Sequence, residues 1–360
     1  MMVADLTAEL VAFPTQQAGP ERGAGDERAL CEYLAPMLRS AGADEVLVGL
    51  APRSDGGPGA YVFARWGTPH RLINVHVDTV PANAGWTRDP WTPYVADGRL
   101  YGLGSADTKG AIAATLVAIE TTRPRDFGVL FSGDEEAGSG AMRAFLAGPH
   151  TEAIREVIVC EPTARRAGVA HRGVIGQRAR MTGPGGHSSK ADHLPKPIAR
   201  LARFATALDD AGVRRLHDGP EGMQGTCLNI AAISGGVAFN VIPARGELDW
   251  SLRPYPGFDR PGWDREIAGL AARTDPEITI ETTIDHVPFA CDALADHVRK
   301  FVRSVGTLDF WTEAALWAQH GKQAIVIGPG DIAQAHRADE FVALEDLDWA
   351  VGVFRSLVRN

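Results

Sequence analysis

The sequence predicts an α/β protein, a mostly parallel mixed sheet flanked by helices, interrupted by an inserted α+β unit. Three observations predict it. Short apolar runs at about 71–77, 127–132 and 156–160 alternate with segments of helical spacing, the pattern of βα units whose helices cover a parallel sheet. The stretch Leu72–Glu161 delivers His76, Asp107, Glu135, Glu136 and Glu161 at or just beyond the ends of such runs. An α/β fold builds its sites at the carboxyl edge of the sheet in this way. After Pro162 the texture changes to strand, helix, strand, strand, helix, strand, the order of a split βαβ (ferredoxin-like) unit.

Residues 4–13 and 27–42 carry apolar residues at helical spacing. In the second, Ala29, Leu30, Tyr33, Leu34, Met37 and Leu38 form one stripe, with Asp26 placed to cap it and Gly42 to stop it. The PTQQAGPERGAGDE segment between them has turn composition. Strands are expected at about 61–66 and 71–77, and Asp97-Gly98 signals a hairpin turn. The small-residue run GAIAATLVAIE from near Lys109 predicts a helix packed closely on the sheet. A strand at 127–132, a helix near 139–147 and a strand at 156–160 continue the alternation. In the inserted part, 172–182, 226–234, 239–252 and 277–286 read as extended, and 194–210 and 261–273 as helical. Helices at 292–304 and 312–319, the strand AIVIG at 324–328 and a closing helix at 345–357 complete the first part. The expected domains are therefore 1–169 with 288–360, discontinuous, and an inserted 170–287.

With 360 residues, 45% of them hydrophobic, the chain is long enough for two domains with packed cores. The net charge of -9 and the scattered basic residues give no basic stripe, so nucleic-acid binding is not expected. Cys31, Cys160, Cys227 and Cys291 are far apart in apolar contexts, without C-x-x-C spacing. They read as reduced core thiols. No apolar stretch reaches membrane-spanning length and the N-terminus lacks the layout of a signal peptide, so a cytoplasmic protein is expected.

His76 and Asp78 lie two apart at a strand end, so their side chains leave the same face. A metal-binding imidazole needs its second nitrogen held, commonly by a carboxylate. Asp107 in GSADTKG would by itself be an N-cap, and the adjacent Glu135 and Glu136 by themselves a solvated loop. At the carboxyl end of a buried strand, however, one of such a pair can bind metal while its neighbour acts as base. Glu161 directly follows the apolar run Val157-Ile158-Val159-Cys160. His187 in GPGGHSS and His336 in GPGDIAQAHRADEF each follow a glycine-rich turn. The remaining histidines have no comparable setting. Two histidines and three carboxylates can give each of two zinc ions an imidazole, a terminal carboxylate and a shared bridging aspartate. No G-x-S-x-G elbow lies between a strand and a helix, so a serine hydrolase is not expected.

The motifs HVDTVP, GLGSADTKG, SGDEEAGS, CEPT, GGHSS, NVIPARGELDWSLRP and GPGDIAQAHRADEF, in this order over residues 76–341, resemble the di-zinc aminoacylase/carboxypeptidase metallopeptidase family. That family includes acetylornithine deacetylases, succinyl-diaminopimelate desuccinylases and glutamate-releasing carboxypeptidases. The closing TEAALWAQHGKQAIVIGPGDIAQAHRADEF is most similar to its acetylornithine deacetylases, and DFWTEA from Asp309 to N-acetylcitrulline deacetylases. The resemblance implies that His76 and Glu161 bind one zinc ion, Glu136 and His336 the other, and that Asp107 bridges them. Cobalt or manganese ions could occupy the same ligands. It further implies that Asp78 orients His76, that Glu135 is the general base, and that the peptide after Asp107 is cis. His187 would reach a partner subunit's site and stabilise the oxyanion, and Asn240 and Arg253 would hold the substrate α-carboxylate. The implied reaction is metal-dependent hydrolysis of an N-acetyl amino acid, N2-acetylornithine giving ornithine and acetate in arginine biosynthesis. N-acetylcitrulline or another N-acyl amino acid, such as succinyl-diaminopimelate, is the alternative. A homodimer through the inserted lid domain is implied as well.

Overall fold

The structure, a computed structural model, describes residues 2–19, 23–53 and 57–359. Its contacts group into two compact units: Met1–Val169 with Cys291–Gly306 and Thr312–Asn360, and Ala170–Ala290 with Thr307–Trp311.

The first unit is organised by four parallel strands, in the spatial order Phe127–Ser132, Arg71–His76, Glu156–Val159 and Gln323–Val326. Nearly every residue in them is buried. That is the composition of strands covered on both faces. Antiparallel strands Pro58–Trp66 and Glu45–Pro52 extend the sheet beyond Phe127–Ser132. Side chains alternate between the faces. Val62, Ala64, Ile73, Val75, Val129 and Phe131 join the core shared with helices Val3–Val11, Glu27–Ser40, Gly110–Thr122 and Leu344–Arg359. On the opposite face Phe63 packs on Phe145 at 5.0 Å, and Phe145 on Trp317 at 6.1 Å. Helix Gly110–Thr122 is buried from Gly110 to Ile119. It packs against the first and last helices as well as the sheet, so it is apolar all round rather than striped. The hairpin turn at Asp97-Gly98 forms between Tyr94–Ala96 and Arg99–Tyr101, with φ of 50° and 70° at its two central residues, as a type I′ turn requires.

The second unit is a four-stranded antiparallel sheet in the order Asn229–Gly235, Arg245–Leu252, Val174–Thr182 and Thr279–His286. Helices Pro197–Val213 and Arg260–Thr274 supply Leu201, Phe204, Leu208, Trp263 and Ile267 to its core around Leu248 and Trp250. Along Val174–Thr182, Arg178 and Arg180 pair with Asp249 and Glu247 of the neighbouring strand.

Four readings of the sequence are corrected. The strand Glu45–Pro52 was not expected, because an edge strand that leaves Leu50 60% exposed lacks a buried apolar run. The helix expected at 292–304 is only Ala295–Val298 followed by a 3-10 turn Arg299–Phe301. Val302 and Val305 reach the core from extended backbone instead. The strand expected at 239–252 is interrupted at Pro243, which has no N–H for a ladder. Val241–Ile242 pairs with Gly186–His187, and Arg245–Leu252 joins the main sheet. Finally, all four cysteines are free, but only Cys31 and Cys160 are buried. Cys291 is half-buried, and Cys227 is exposed in a loop where its φ is 49°.

Candidate active site

The parallel strands end at one edge, and their continuations bring five side chains of the first unit together. His76 closes its strand, and its Nε2 lies 3.0 Å from Asp107 Oδ1 and 4.0 Å from Glu161 Oε2. His336 Nε2 lies 3.4 Å from Asp107 Oδ2 and 3.1 Å from Glu136 Oε1. One ligand atom from each of His76, Asp107 and Glu136 lies within 4.8 Å of the others. Asp107 thus presents one carboxylate oxygen to each histidine. His76, Asp107 and Glu161 are at most 5% exposed, whereas the His336 side chain is 52% exposed and marks the open side.

The surrounding backbone is shaped for this convergence. The Asp107–Thr108 peptide is cis, and Thr108 Oγ1 donates to the His76 carbonyl at 2.8 Å. Buried Glu340 accepts the N–H groups of Gly104, Ala106 and Asp107 at 2.9–3.1 Å, clamping the loop that carries Asp107. At Gly328 a side chain would have its Cβ 2.6 Å from the Glu161 carbonyl oxygen, so only glycine lets the loop toward His336 pass Glu161. Asp78 does more than face the His76 ring. Its Oδ1 is 3.7 Å from His76 Nδ1, which contacts the Asp78 carbonyl at 2.9 Å. Its two carboxylate oxygens accept the N–H groups of Glu135 and Glu136 at 3.0 and 3.1 Å.

The electrostatics follow from crowding acids at a buried edge. Burial and then the charge of Glu161 push the Glu135 carboxyl well above its usual range, and burial does the same to Glu161. Burial opposes ionisation of Asp107 too, but its contacts with His336 and His76 outweigh that and hold it low. Hydrogen bonds to Asp107 and Glu136 raise His336 to about 10. Oxygen and imidazole donors converging in two subsets around one shared carboxylate, with excess negative charge, fit a pair of divalent cations.

Beneath the edge, on the sheet face opposite the main helices, Trp317 Nε1 donates to Asn74 Oδ1 at 2.7 Å. Asn74 Nδ2 donates to Ser132 Oγ at 2.9 Å, and Ser132 Oγ to Glu313 Oε2 at 2.7 Å. Burial pushes Glu313 up to about 7. A carboxyl raised on folding binds its proton more tightly in the native state, so native stability falls as pH rises from 4.5 through 7. The loss is on the order of 3 kcal/mol. Glu313→Gln in chelator-treated protein is therefore expected to gain stability over the parent between pH 5 and pH 8, read by urea unfolding. A difference that stays constant with pH would contradict this.

His187, Asn240 and Arg253 all lie in the second unit, exposed. His187 Nδ1 contacts Ser189 Oγ at 2.9 Å, and the Asn240 carbonyl accepts from Ser188 N at 3.0 Å, so His187 and Asn240 belong to neighbouring turns. The Arg253 backbone N–H donates to Thr226 O at 2.7 Å. Glu340 and Glu313 were missed as site residues. Glu340 stands inside the quoted HRADEF motif, where only the histidine carried a ligand signal.

Carboxylates and imidazoles gathered in this way at the carboxyl edge of an α/β sheet define a metal-dependent hydrolase. Residues 72–360 match the family described as Peptidase family M20/M25/M40. An N-acetyl-L-citrulline deacetylase of Xanthomonas campestris is 37% identical over 94% of this chain and 92% of its own. An acetylornithine deacetylase of Pasteurella multocida is 30% identical over 94% of this chain and 92% of its own. Among solved structures, the M20 family metallo-carboxypeptidase Sso-CP2 of Sulfolobus solfataricus superposes with a TM-score of 0.78 at 16% identity, covering 99% of this chain and 98% of its own, and shares the fold. The chain belongs to peptidase family M20/M25/M40. No helix among the described residues is long and apolar enough to cross a membrane.

Proposed function

We propose that the protein is a cytoplasmic di-zinc deacetylase of N-acetyl amino acids, converting N2-acetylornithine to ornithine and acetate for arginine biosynthesis. The observation that carries the reading is Asp107, which turns one oxygen to His76 and the other to His336. His76 and Glu161 would hold one ion, Glu136 and His336 the other, with Asp107 shared. Bound there, the ions supply Lewis acidity and lower the pKa of water. Glu135 takes the proton of the attacking water and passes it to the amine that leaves. Asp78 fixes Glu135 through the backbone, and so sets the base relative to the reacting carbonyl. In the inserted unit, proposed as a lid and homodimer domain, His187 would stabilise the oxyanion in a partner subunit's site. Asn240 and Arg253 would bind the substrate α-carboxylate, a task suited to the planar fork of arginine.

A second substrate, N-acetylcitrulline, is favoured by the 37% identity to a deacetylase of that compound, against 30% for the acetylornithine enzyme. The test is kcat/KM for N-acetylornithine, N-acetylcitrulline and N-succinyl-diaminopimelate with zinc or cobalt, repeated after chelation. The expected result is hydrolysis of an acetyl substrate that chelation abolishes and added metal restores. Faster turnover of acetylcitrulline selects the second reading. Hydrolysis of none of the three by metal-loaded protein overturns both.

A further inference from the structure

The turn-rich segment before the second helix carries a buried polar chain that the reaction as described does not use. Gln16 forms a parallel bridge with Thr79, Gln17 N donates to Thr79 O at 2.7 Å, and Thr15 Oγ1 donates to Val77 O at 2.7 Å. This stretch thus lies along the exit of the strand that bears His76. Gln17, only 6% exposed, donates from Nε2 to Asp78 Oδ2 at 2.6 Å. Its Oε1 accepts from Arg53 Nη2. Arg53, 3% exposed, pairs through Nη1 with Glu27 Oε1 at 3.3 Å, and Glu27 Oε2 accepts the Ala60 N–H at 3.2 Å. A side chain at Gly133 would place its Cβ 1.9 Å from Glu27 Oε2. The chain of contacts is therefore packed directly against the turn that leads to Glu135.

The chemistry of the partners fixes how Gln17 sits. A guanidinium has only donors to offer and an ionised carboxylate only acceptors, so the amide oxygen must face Arg53 and the amide nitrogen Asp78. Asp78 in turn uses its carboxylate on the Glu135 and Glu136 amides, and its own backbone carbonyl on His76. A rotation of that carboxylate would move the peptide that carries both glutamates.

We infer that Gln17, oriented by Arg53, is a positioning residue that fixes the Asp78 carboxylate and through it the base Glu135 and the proposed ligand Glu136. The inference rests on the deacetylase reading above. Buried partners of this kind are worth about 10–100-fold in metal affinity or activity elsewhere.

The test is Gln17→Met, which keeps length and volume and removes both hydrogen bonds. Two readouts are needed besides the melting temperature. Titration of the chelator-treated protein with cobalt, followed by visible absorption, is expected to show binding about tenfold weaker than in the parent. Turnover of the metal-saturated variant is expected to fall about 10–100-fold in kcat with KM within about twofold, the split expected when the base is misplaced and the substrate contacts are not. Unchanged cobalt affinity and kcat in a folded variant overturn the inference, as does a lowered melting temperature with kcat preserved. Should Gln17→Met be insoluble, Gln17→Glu keeps the shape and puts an oxygen against Asp78, and the same readouts apply. If neither variant folds, the role is structural and the inference fails. A parent protein that binds no cobalt or hydrolyses no acyl amino acid would instead sink the reading of the site.

Discussion

Replacing Glu135 with Ala is expected to lower kcat by about 10²–10⁴-fold, the range contributed by a positioned general base, while two metal ions per chain remain bound. The separation of effects follows from geometry. Glu136, the neighbour that contacts His336, would keep its own side chain, and the backbone of both residues stays fixed to Asp78. Removing one nearby carboxylate also lowers the negative charge that attracts cations, so metal binding should be somewhat weaker than in the parent but survive dialysis, because all the proposed ligands keep their side chains. The measurement is kcat together with metal content after dialysis. A variant with substantial turnover would remove Glu135 from the role of base, and one that lost metal would make it a ligand.

Asp107→Ala is expected to be as damaging to activity and to differ in cause. It removes the group that faces both histidines at once, and leaves His76 and His336 without the contacts at 3.0 and 3.4 Å. Both ions should be lost on dialysis. The fall in kcat/KM should be on the order of 10³-fold or more, exceeding the 10–100-fold typical when a partner outside the ligand set is removed. Elemental analysis reads the metal, and cobalt added back should not restore turnover. Retention of one tightly held ion would show that the two subsets of donors act independently, which contradicts a shared Asp107.

Within the first unit, the strand-end residues carried most of the site. His76, Asp107, Glu136, Glu161 and His336 stand beside buried runs or glycine turns, and each is brought into the same edge. The reason is local: a parallel strand with both faces covered reads as an apolar run, and its carboxyl end is where a polar residue can emerge. Readings failed where an element takes its conformation from its neighbours. Glu45–Pro52 is a strand because Pro58–Trp66 offers an edge to pair with. Residues 299–305 leave the helix because extended backbone brings Val302 and Val305 to the core.

The sequence by itself determined the α/β class, the parallel core of the sheet and the set of acids and histidines gathered at its edge, because periodicity and strand-end chemistry are properties of adjacent residues. Asp78 apart, the tertiary structure alone decided which groups hold those residues in place. Glu340 clamps the Asp107 loop across more than two hundred positions of chain, and Gln17 reaches Asp78 from a segment that reads only as a turn. A buried carboxylate or amide must find its hydrogen-bond partners wherever the fold brings them, and no local pattern records where that is.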